Sequence, residues 1–331
     1  MPFARLQNPA TSPAQFDRPV VAIGNFDGVH RGHQIVLQHA IDQAAARNTV
    51  AVALTFEPHP RTVFKPESPV YRLSPASVRA SVLSAFGMDG VVELNFNREF
   101  ASKTAQEFVD EILVDLLGAS HVVTGYDFHF GKGREGSPEF LLGAGQEAGF
   151  GVTVVEAQND EADTIISSSR IRSALEEGDV VQAAGLLGYR YLVEGVITQG
   201  AQLGRTLGYP TANIGLPPEA RLKTGIYAVR FRRSNGSLYD GVASYGRRPT
   251  FDNGAPLLET FLFDFSDNLY GETCSVSRFS FLRGEEKFDN VEDLVAQMDL
   301  DSNEARQFLM STTPLTPLDA SLSFEDLRGA A

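Results

Sequence analysis

The sequence predicts two folds in succession, an α/β half followed by an all-β half. Three observations carry this. Between residues 19 and 155, short apolar runs alternate with amphipathic helical stretches, the order that builds a parallel sheet flanked by helices. From Tyr189 onward the helical crossovers vanish and β-rich runs are separated by turn signals, which reads as an antiparallel barrel or sandwich. The length, 331 residues, is roughly that of two ordinary domains. We place the boundary between residues 187 and 188.

Residues 19–23 read as a strand, followed by a glycine-rich loop and a helix over about 32–46. Residues 50–56 form a second buried strand. Ser74-Pro75 predicts a helix start, with Ser as N-cap and Pro at the first helical position. Residues 91–94 are a third strand. Thr104-Ala105-Gln106-Glu107 is a capping box; its helix carries Phe108, Ile112, Leu116 and Leu117 on one face and stops at Gly118. Residues 121–124 and 152–155 are further strands, with a helix opened by Ser137-Pro138 between them. Helices over 170–177 and 180–187, the second capped by Asp179, end this half. The later runs 191–197, 226–232, 258–265 and 275–281 are strands, punctuated by Ser234-Asn235-Gly236, Asp252-Asn253-Gly254 and Asp267-Asn268. An amphipathic helix is expected over 291–309, and the Pro/Ser/Thr-bearing tail from Ser311 is expected to be loosely held.

Composition narrows the function. With 43% hydrophobic and 21% charged residues, collagen-like, coiled-coil and wholly disordered readings are excluded. The 28 Lys/Arg against 42 Asp/Glu give a net charge of −14, which disfavours nucleic acid as a partner. The acidity is uneven: residues 1–187 carry −9, residues 188–284 carry +3 and residues 285–331 carry −8. A mildly basic β-rich segment suits a nucleotide. The single cysteine, Cys274, excludes an internal disulfide and fits a reducing compartment. No apolar run approaches the ~20 residues that cross a bilayer, and the start, with Pro2, Pro9 and Pro13, does not read as a signal peptide. The expectation is a soluble, cytoplasmic chain with no membrane or nucleic-acid partner; nothing in the sequence assigns an oligomeric state.

Gly24-Asn25-Phe26-Asp27-Gly28-Val29-His30-Arg31-Gly32-His33 follows a strand and opens a helix. Backbone N–H groups and the positive helix end then face a bound anion. His30 and His33, three apart, share a face and could hold a triphosphate and stabilise charge growing at its α-phosphorus. Gly32 leaves room for close approach of a base or ribose. Two exposed histidines would be the plain alternative. A metal site is a further one, although neither Cys nor a carboxylate lies at ligand spacing on that helix. All six histidines fall within the first 129 residues. Ile166-Ser167-Ser168-Ser169-Arg170-Ile171-Arg172 puts hydroxyls and two arginines at another helix start, again suited to phosphate. Thr55-Phe56-Glu57-Pro58-His59-Pro60 and the loop 125–136, with Asp127, Phe128, His129 and Phe130, follow two strands where a second substrate would sit. Their aromatics either clamp a flat ring system or anchor the loops in the core.

In the second half, three glycines (Gly200, Gly204 and Gly208) surround Arg205 and could wrap phosphates. Thr211 and Asn213, two apart on an extended segment after Tyr209-Pro210, direct their oxygens the same way, a set suited to Mg²⁺ that bridges to nucleotide phosphates. In Leu258-Glu259-Thr260-Phe261-Leu262-Phe263, alternation puts Glu259 on one face with Phe261 and Phe263. A carboxylate there suits a base that takes the proton of an attacking hydroxyl; an edge-strand Glu facing solvent is the alternative. Residues 244–251, with Arg247, form a second Gly/Arg loop.

Nine segments in this order resemble the prokaryotic bifunctional riboflavin kinase/FAD synthetase family: 24–33, 55–60, 125–136, 166–172, 204–213, 225–229, 244–251, 258–265 and 268–271. The resemblance covers about residues 19–309 and implies a Rossmann-like nucleotidyltransferase domain over 1–187 and a riboflavin-kinase-like antiparallel β-barrel with a C-terminal helix over 188–331. The first would adenylylate FMN with ATP to give FAD and pyrophosphate. His30, His33 and Arg172 would be catalytic, Gly24, Phe26, Asp27, Gly28, Gly32, Ser168 and Ser169 would contact the nucleotide, and Asp127 and Phe128 the flavin. The second would phosphorylate riboflavin with ATP and Mg²⁺, with Gly204, Arg205, Gly208, Pro210 and Arg247 at the nucleotide, Thr211 and Asn213 on the metal, and Glu259 as base. Three departures stand out: His129 where the family often has Arg, Ser169 where it has Thr, and Tyr209 where Phe is common. Another nucleotidyltransferase with an unrelated barrel is the alternative, against which the Thr211/Asn213/Glu259 constellation argues. A non-catalytic flavin carrier is a second, with no need of His30, His33, Thr211, Asn213 or Glu259.

Overall fold

In the first part of the chain an edge strand is followed by five strands that alternate with helices, and six more strands form an antiparallel sheet in the second. The structure, a computed structural model, describes residues 2–200, 203–247 and 255–326. Ala201 and Gln202, residues 248–251 of the second Gly/Arg loop and the turn at 252–254 lie outside the described residues. By contacts the chain divides into two compact units, Met1–Ser168 and Ser169–Ala331.

In the first unit the strands are β1 (Ala4–Gln7), β2 (Val20–Ile23), β3 (Ala51–Glu57), β4 (Gly90–Asn95), β5 (His121–Gly125) and β6 (Gly151–Val155), in the sheet order β1-β4-β3-β2-β5-β6. Every pairing is parallel. Val20–Ile23 is buried throughout and β3 is buried up to its last residue, as a sheet covered on both faces requires. The chain winds outward from β2 to β3 and β4, then returns to β5 on the other side. The loops after β2 and β5 therefore flank the point where strand order reverses, where open α/β sheets bind ligands. Helices α1 (Arg31–Arg47), α2 (Pro60–Phe64), α3 (Ala76–Phe86), α4 (Ala105–Phe108) and α5 (Pro138–Ala148) connect the strands.

The capping box at Thr104 is present, its hydroxyl accepting from Glu107 N. α4 then widens into a π-helix, Val109–Leu116, in which Leu117 N bonds Ile112 O. The wider turn brings Val109 and Leu113 into the core beside Phe108, Ile112 and Leu117, while Leu116 is only partly buried. Ser137 and Asp179 cap their helices as expected. Two expectations need correction. Residues 4–7 form an edge strand that the sequence reading passed over. Ser74 does not cap α3, whose N-cap is Pro75 with no side-chain bond; its hydroxyl is committed elsewhere.

The second unit holds β7 (Leu192–Val196), β8 (Thr211–Gly215), β9 (Gly225–Arg232), β10 (Leu238–Arg247), β11 (Pro256–Leu262) and β12 (Thr273–Arg283), in the order β7-β12-β9-β10-β11-β8. A bridge between Thr198 and Asn213 brings the two edges together, so the barrel is nearly closed. Tyr227, Val229 and Phe231 point inward and are fully buried. Helices α6 (Ser168–Glu177), α7 (Val180–Leu187), α8 (Leu203–Thr206), α9 (Val291–Ser311) and α10 (Pro317–Ser323) complete the chain. The sequence grammar changes at 187/188, but Leu175 O accepts from Lys223 N, so α6 packs with the barrel unit. The tail expected to be loose is docked: Thr316 caps α10 through Asp319 N, and Asp319 and Ser323 are fully buried.

Candidate active sites

In the first unit the glycine-rich loop turns sharply from β2 into α1. Phe26 and Val29 sit at positive φ (47° and 40°) and Gly28 at 85°, and a β-branched residue there marks real strain. His30 is the N-cap of α1, its Nδ1 accepting from His33 N at 3.3 Å. With Nδ1 an acceptor, the neutral ring carries its proton on Nε2. The His30 and His33 rings stack 3.6 Å apart at 19°, and Phe26 meets His33 edge-on. Burial, and then the neighbouring His30, holds the His33 pKa well below 6.5. A side chain at Gly24 would meet the Phe26 ring at 3.1 Å and one at Gly32 the His30 ring at 3.2 Å, so at either position the neighbouring ring would have to give way slightly. Ser168 Oγ donates to Asp27 O at 2.9 Å, which brings the 166–168 segment to this loop. Exposed Ser169 and half-buried Arg172 follow on α6 and belong to the second unit.

The loop after β5 is held by its aromatics. Phe128 stacks on Phe130 at 5.5 Å; Phe130 is buried and pairs with Gly136. Phe56 is also buried. These two are core anchors, whereas Phe128 is half-exposed and Asp127 is exposed. His129 is exposed and its Nδ1 lies 3.3 Å from Arg134 Nη2.

In the second unit antiparallel register assembles the site. Glu259 of β11 pairs with Asn213 of β8 on one side and Ser244 of β10 on the other. Directly paired residues present their side chains on one face, with Cβ atoms ~5 Å apart. Phe261 pairs likewise with Thr211 and Val242. Thr211, Ser244 and Glu259 line a cavity of about 270 Å³, roofed by Leu294, Met298 and Asp301 of α9. The Asn213 side chain is 4% exposed and its Oδ1 has no hydrogen-bond partner, an unsatisfied hard oxygen of the kind Mg²⁺ accepts. Among the described residues no group of three or more His, Cys, Asp or Glu could hold a metal; a donor set of Thr and Asn with one carboxylate suits a cation that arrives with phosphates.

Gly204 lets the chain fold back on itself, since a side chain there would strike Tyr209 O at 2.3 Å, and Gly208 takes φ 87°. Arg205 and Pro210 are exposed beside this turn. Arg247 is also exposed, and its guanidinium donates to Pro218 O and Ala220 O at 2.9 and 2.8 Å.

Residues 12–170 match the FAD synthetase family profile and residues 187–309 the riboflavin kinase profile. A bifunctional riboflavin kinase/FMN adenylyltransferase from Listeria monocytogenes is 38% identical over 92% of this chain and 96% of its own length. The enzyme of that name from Escherichia coli is 37% identical over 89% and 94%. The chain belongs to the bifunctional riboflavin kinase/FMN adenylyltransferase family. A Streptococcus pneumoniae structure described as a macrolide-efflux protein superposes with a TM-score of 0.78 at 31% identity, over 91% of this chain and 99% of that one. Among the described residues no helix of this family member is long and apolar enough to cross a membrane.

Sequence reasoning missed what braces this family member's first loop. Ser74 Oγ accepts from Gly28 N at 2.7 Å and donates to Phe26 O at 3.4 Å, while Ser74 N donates to the buried Asp27 carboxylate at 3.1 Å. Asp27 lies 3.5 Å from Arg72, and Arg72 reaches Glu57 at 3.0 Å. Glu57 takes buried Arg79 at 2.7 Å; Arg79 reaches Glu93, which pairs with Arg5 of β1. Alternating charges thus run from the edge strand to the loop. No local motif announces them, because each partner lies on a different element.

Proposed function

We propose that the family's two reactions are housed separately, FMN adenylylation over 1–187 and riboflavin phosphorylation over 188–331. The chain uses ATP twice: riboflavin is converted to FMN and ADP, and FMN to FAD and pyrophosphate. The observation that supports the kinase assignment is Glu259 lining the cavity under α9 together with Ser244 and Thr211, with Asn213 paired to Glu259 in register on the neighbouring strand. Glu259 accepts the proton of the ribityl 5′-hydroxyl as that oxygen attacks the γ-phosphorus of ATP. Thr211 and Asn213 hold Mg²⁺, which when bound neutralises phosphate charge. Gly204, Arg205, Gly208 and Pro210 bring the flexible turn against the nucleotide, and the apolar cavity excludes water from the attack.

For adenylyl transfer, the start of α1 with His30 receives the triphosphate. His30 Nε2–H donates to phosphate oxygen, and the neutral His33 beneath it fixes the ring plane. Ser168, whose hydroxyl reaches Asp27 O of the same loop, lies beside the path of the leaving pyrophosphate. The FMN phosphate attacks the α-phosphorus, with its flavin against Phe128 and Asp127. The demand for ATP fits the cytoplasmic setting expected above. The test is incubation with riboflavin, ATP and Mg²⁺ with FMN and FAD separated by chromatography. Glu259→Gln abolishes FMN formation from riboflavin yet still converts supplied FMN to FAD. Loss of both activities in a folded variant overturns the separate housing.

A further inference from the structure

Helix α9 roofs the cavity that Glu259 opens into, yet only its second half is embedded. Its buried residues are Asp301, Ser302, Ala305 and Leu309; none of the first ten, 291–300, is buried. That first half carries Leu294 and Met298 over the cavity and is held without a single fully buried side chain of its own. Two polar ties sit where it meets the embedded half. Arg283 of β12 grips Asp301 through both guanidinium edges at 2.8 and 2.7 Å, with Gln297 donating to the same carboxylate. The Tyr209 hydroxyl donates to Asp299. Tyr209 is 8% exposed, lies 4.8 Å from the Phe261 ring and itself lines the cavity. It also directly precedes Pro210 and Thr211. One side chain is therefore a wall of the cavity, an anchor for α9 and a neighbour of the Thr211–Asn213 strand.

We propose that the Tyr209–Asp299 hydrogen bond is a latch that holds the first half of α9 over the cavity and so sets the affinity for riboflavin. This rests on the reading that the cavity takes riboflavin. Tyr209 and Asp299 are positioning residues: the ring of a Phe would fill the same space, so what the hydroxyl adds is the tie. The tie is made to a carboxylate on α9 itself, so its loss frees Leu294 and Met298 to move away from the flavin while Glu259, Thr211 and Asn213 keep their places on the sheet.

The experiment titrates riboflavin into the full chain by flavin fluorescence quenching and measures steady-state phosphorylation alongside, with FMN adenylylation and the melting temperature as controls of folding. Tyr209→Phe and Asp299→Ala are each expected to raise the riboflavin Kd and KM about five- to tenfold, the loss of one hydrogen bond to a charged group, with kcat within about twofold. The double variant is no worse than either single one, because both remove the same bond. Asp299→Asn keeps an acceptor and stays near the unaltered protein. Met298→Trp, which fills the cavity, raises Kd. If Met298→Trp raises Kd but Tyr209→Phe and Asp299→Ala change only the melting temperature, the latch is overturned. If Met298→Trp leaves Kd unchanged, the cavity is not the riboflavin site and the latch falls with that reading.

Discussion

Ser74 Oγ accepts the backbone N–H of Gly28 at 2.7 Å across 46 residues of sequence. It is the centre of a brace on a loop whose Phe26 and Val29 are held at positive φ. A strained loop persists only where its surroundings over-determine it. Replacing Ser74 by Ala removes this acceptor and the bond to Phe26 O, at about 1–3 kcal/mol. FMN adenylylation is expected to lose about tenfold or more in kcat/KM for ATP, while riboflavin phosphorylation stays within about twofold. Ser74→Thr keeps the hydroxyl and retains most activity. Parallel steady-state assays on one preparation decide it; an unaltered Ser74→Ala variant would show the loop to be rigid without this bond.

His30 caps α1, and in the proposed reading its Nε2–H donates to phosphate. His30→Ala is expected to reduce FMN adenylylation by about a hundredfold or more, the scale of removing one preorganised donor at developing charge, and to leave the kinase intact. The selectivity is opposite to that of Glu259→Gln, so the two variants assayed with supplied FMN and with riboflavin form a crossed test.

Legibility followed the range of the interactions. The parallel sheet is readable because its inner strands are apolar runs alternating with helices, and the change at residue 189 because turns replace crossovers. That Thr211 and Asn213 share a face follows from two-residue alternation alone. The pairing of Asn213 with Glu259, and of Thr211 with Phe261, depends on register between strands some 46 residues apart or more, which no local pattern carries. β1 escaped because four residues alternating partly buried and exposed, Arg5 among them, look like loop. Ser74 was misread because Ser-Pro is a good local cap signal, overridden by a distant glycine. The tail was misread from its Pro/Ser/Thr composition, although Thr316-Pro317-Leu318-Asp319 is itself a helix-start pattern.

His121 lends the first unit a pH dependence. Its Nδ1 lies 3.0 Å from Arg47 Nη2 and its Nε2 lies 2.8 Å from Thr153 Oγ1, so Nδ1 must accept from the guanidinium and the ring is neutral. Burial, then the Arg47 charge, lowers its pKa from 6.5 to about 4, and His33 is lowered as well. In the window between about 6.5 and 4 the unfolded chain takes up a proton at His121 that the folded chain refuses, so stability falls as pH falls through it. Above 6.5 both states are neutral and the term vanishes. The expected loss on reaching pH 4 is on the order of 2–3 kcal/mol from His121. Calorimetric melts of the full chain from pH 7.5 downward, with and without His121→Asn, check it: the variant flattens the slope of the first unit's transition, and an unchanged slope refutes the assignment.

The docked tail makes a last prediction about the barrel. Asp319 is fully buried and accepts from Arg190 N at 2.8 Å and Leu315 N at 2.9 Å, while its other contact is the Arg190 guanidinium. Arg190 also donates to Thr313 O and stacks over Phe279 and Phe324. Asp319→Ala strands a buried guanidinium and two backbone donors, which costs about 3–5 kcal/mol. Asp319→Asn keeps oxygen acceptors and costs less. Truncation after residue 312 removes in addition the acceptors at Ser321, Leu322 and Ser323 for Arg230 and Arg232, and is expected to destabilise the barrel at least as much as Asp319→Ala. In each case thermal inactivation of riboflavin phosphorylation shifts to lower temperature while that of FMN adenylylation holds. If truncation leaves the kinase as heat-stable as before, the tail contributes nothing to the barrel.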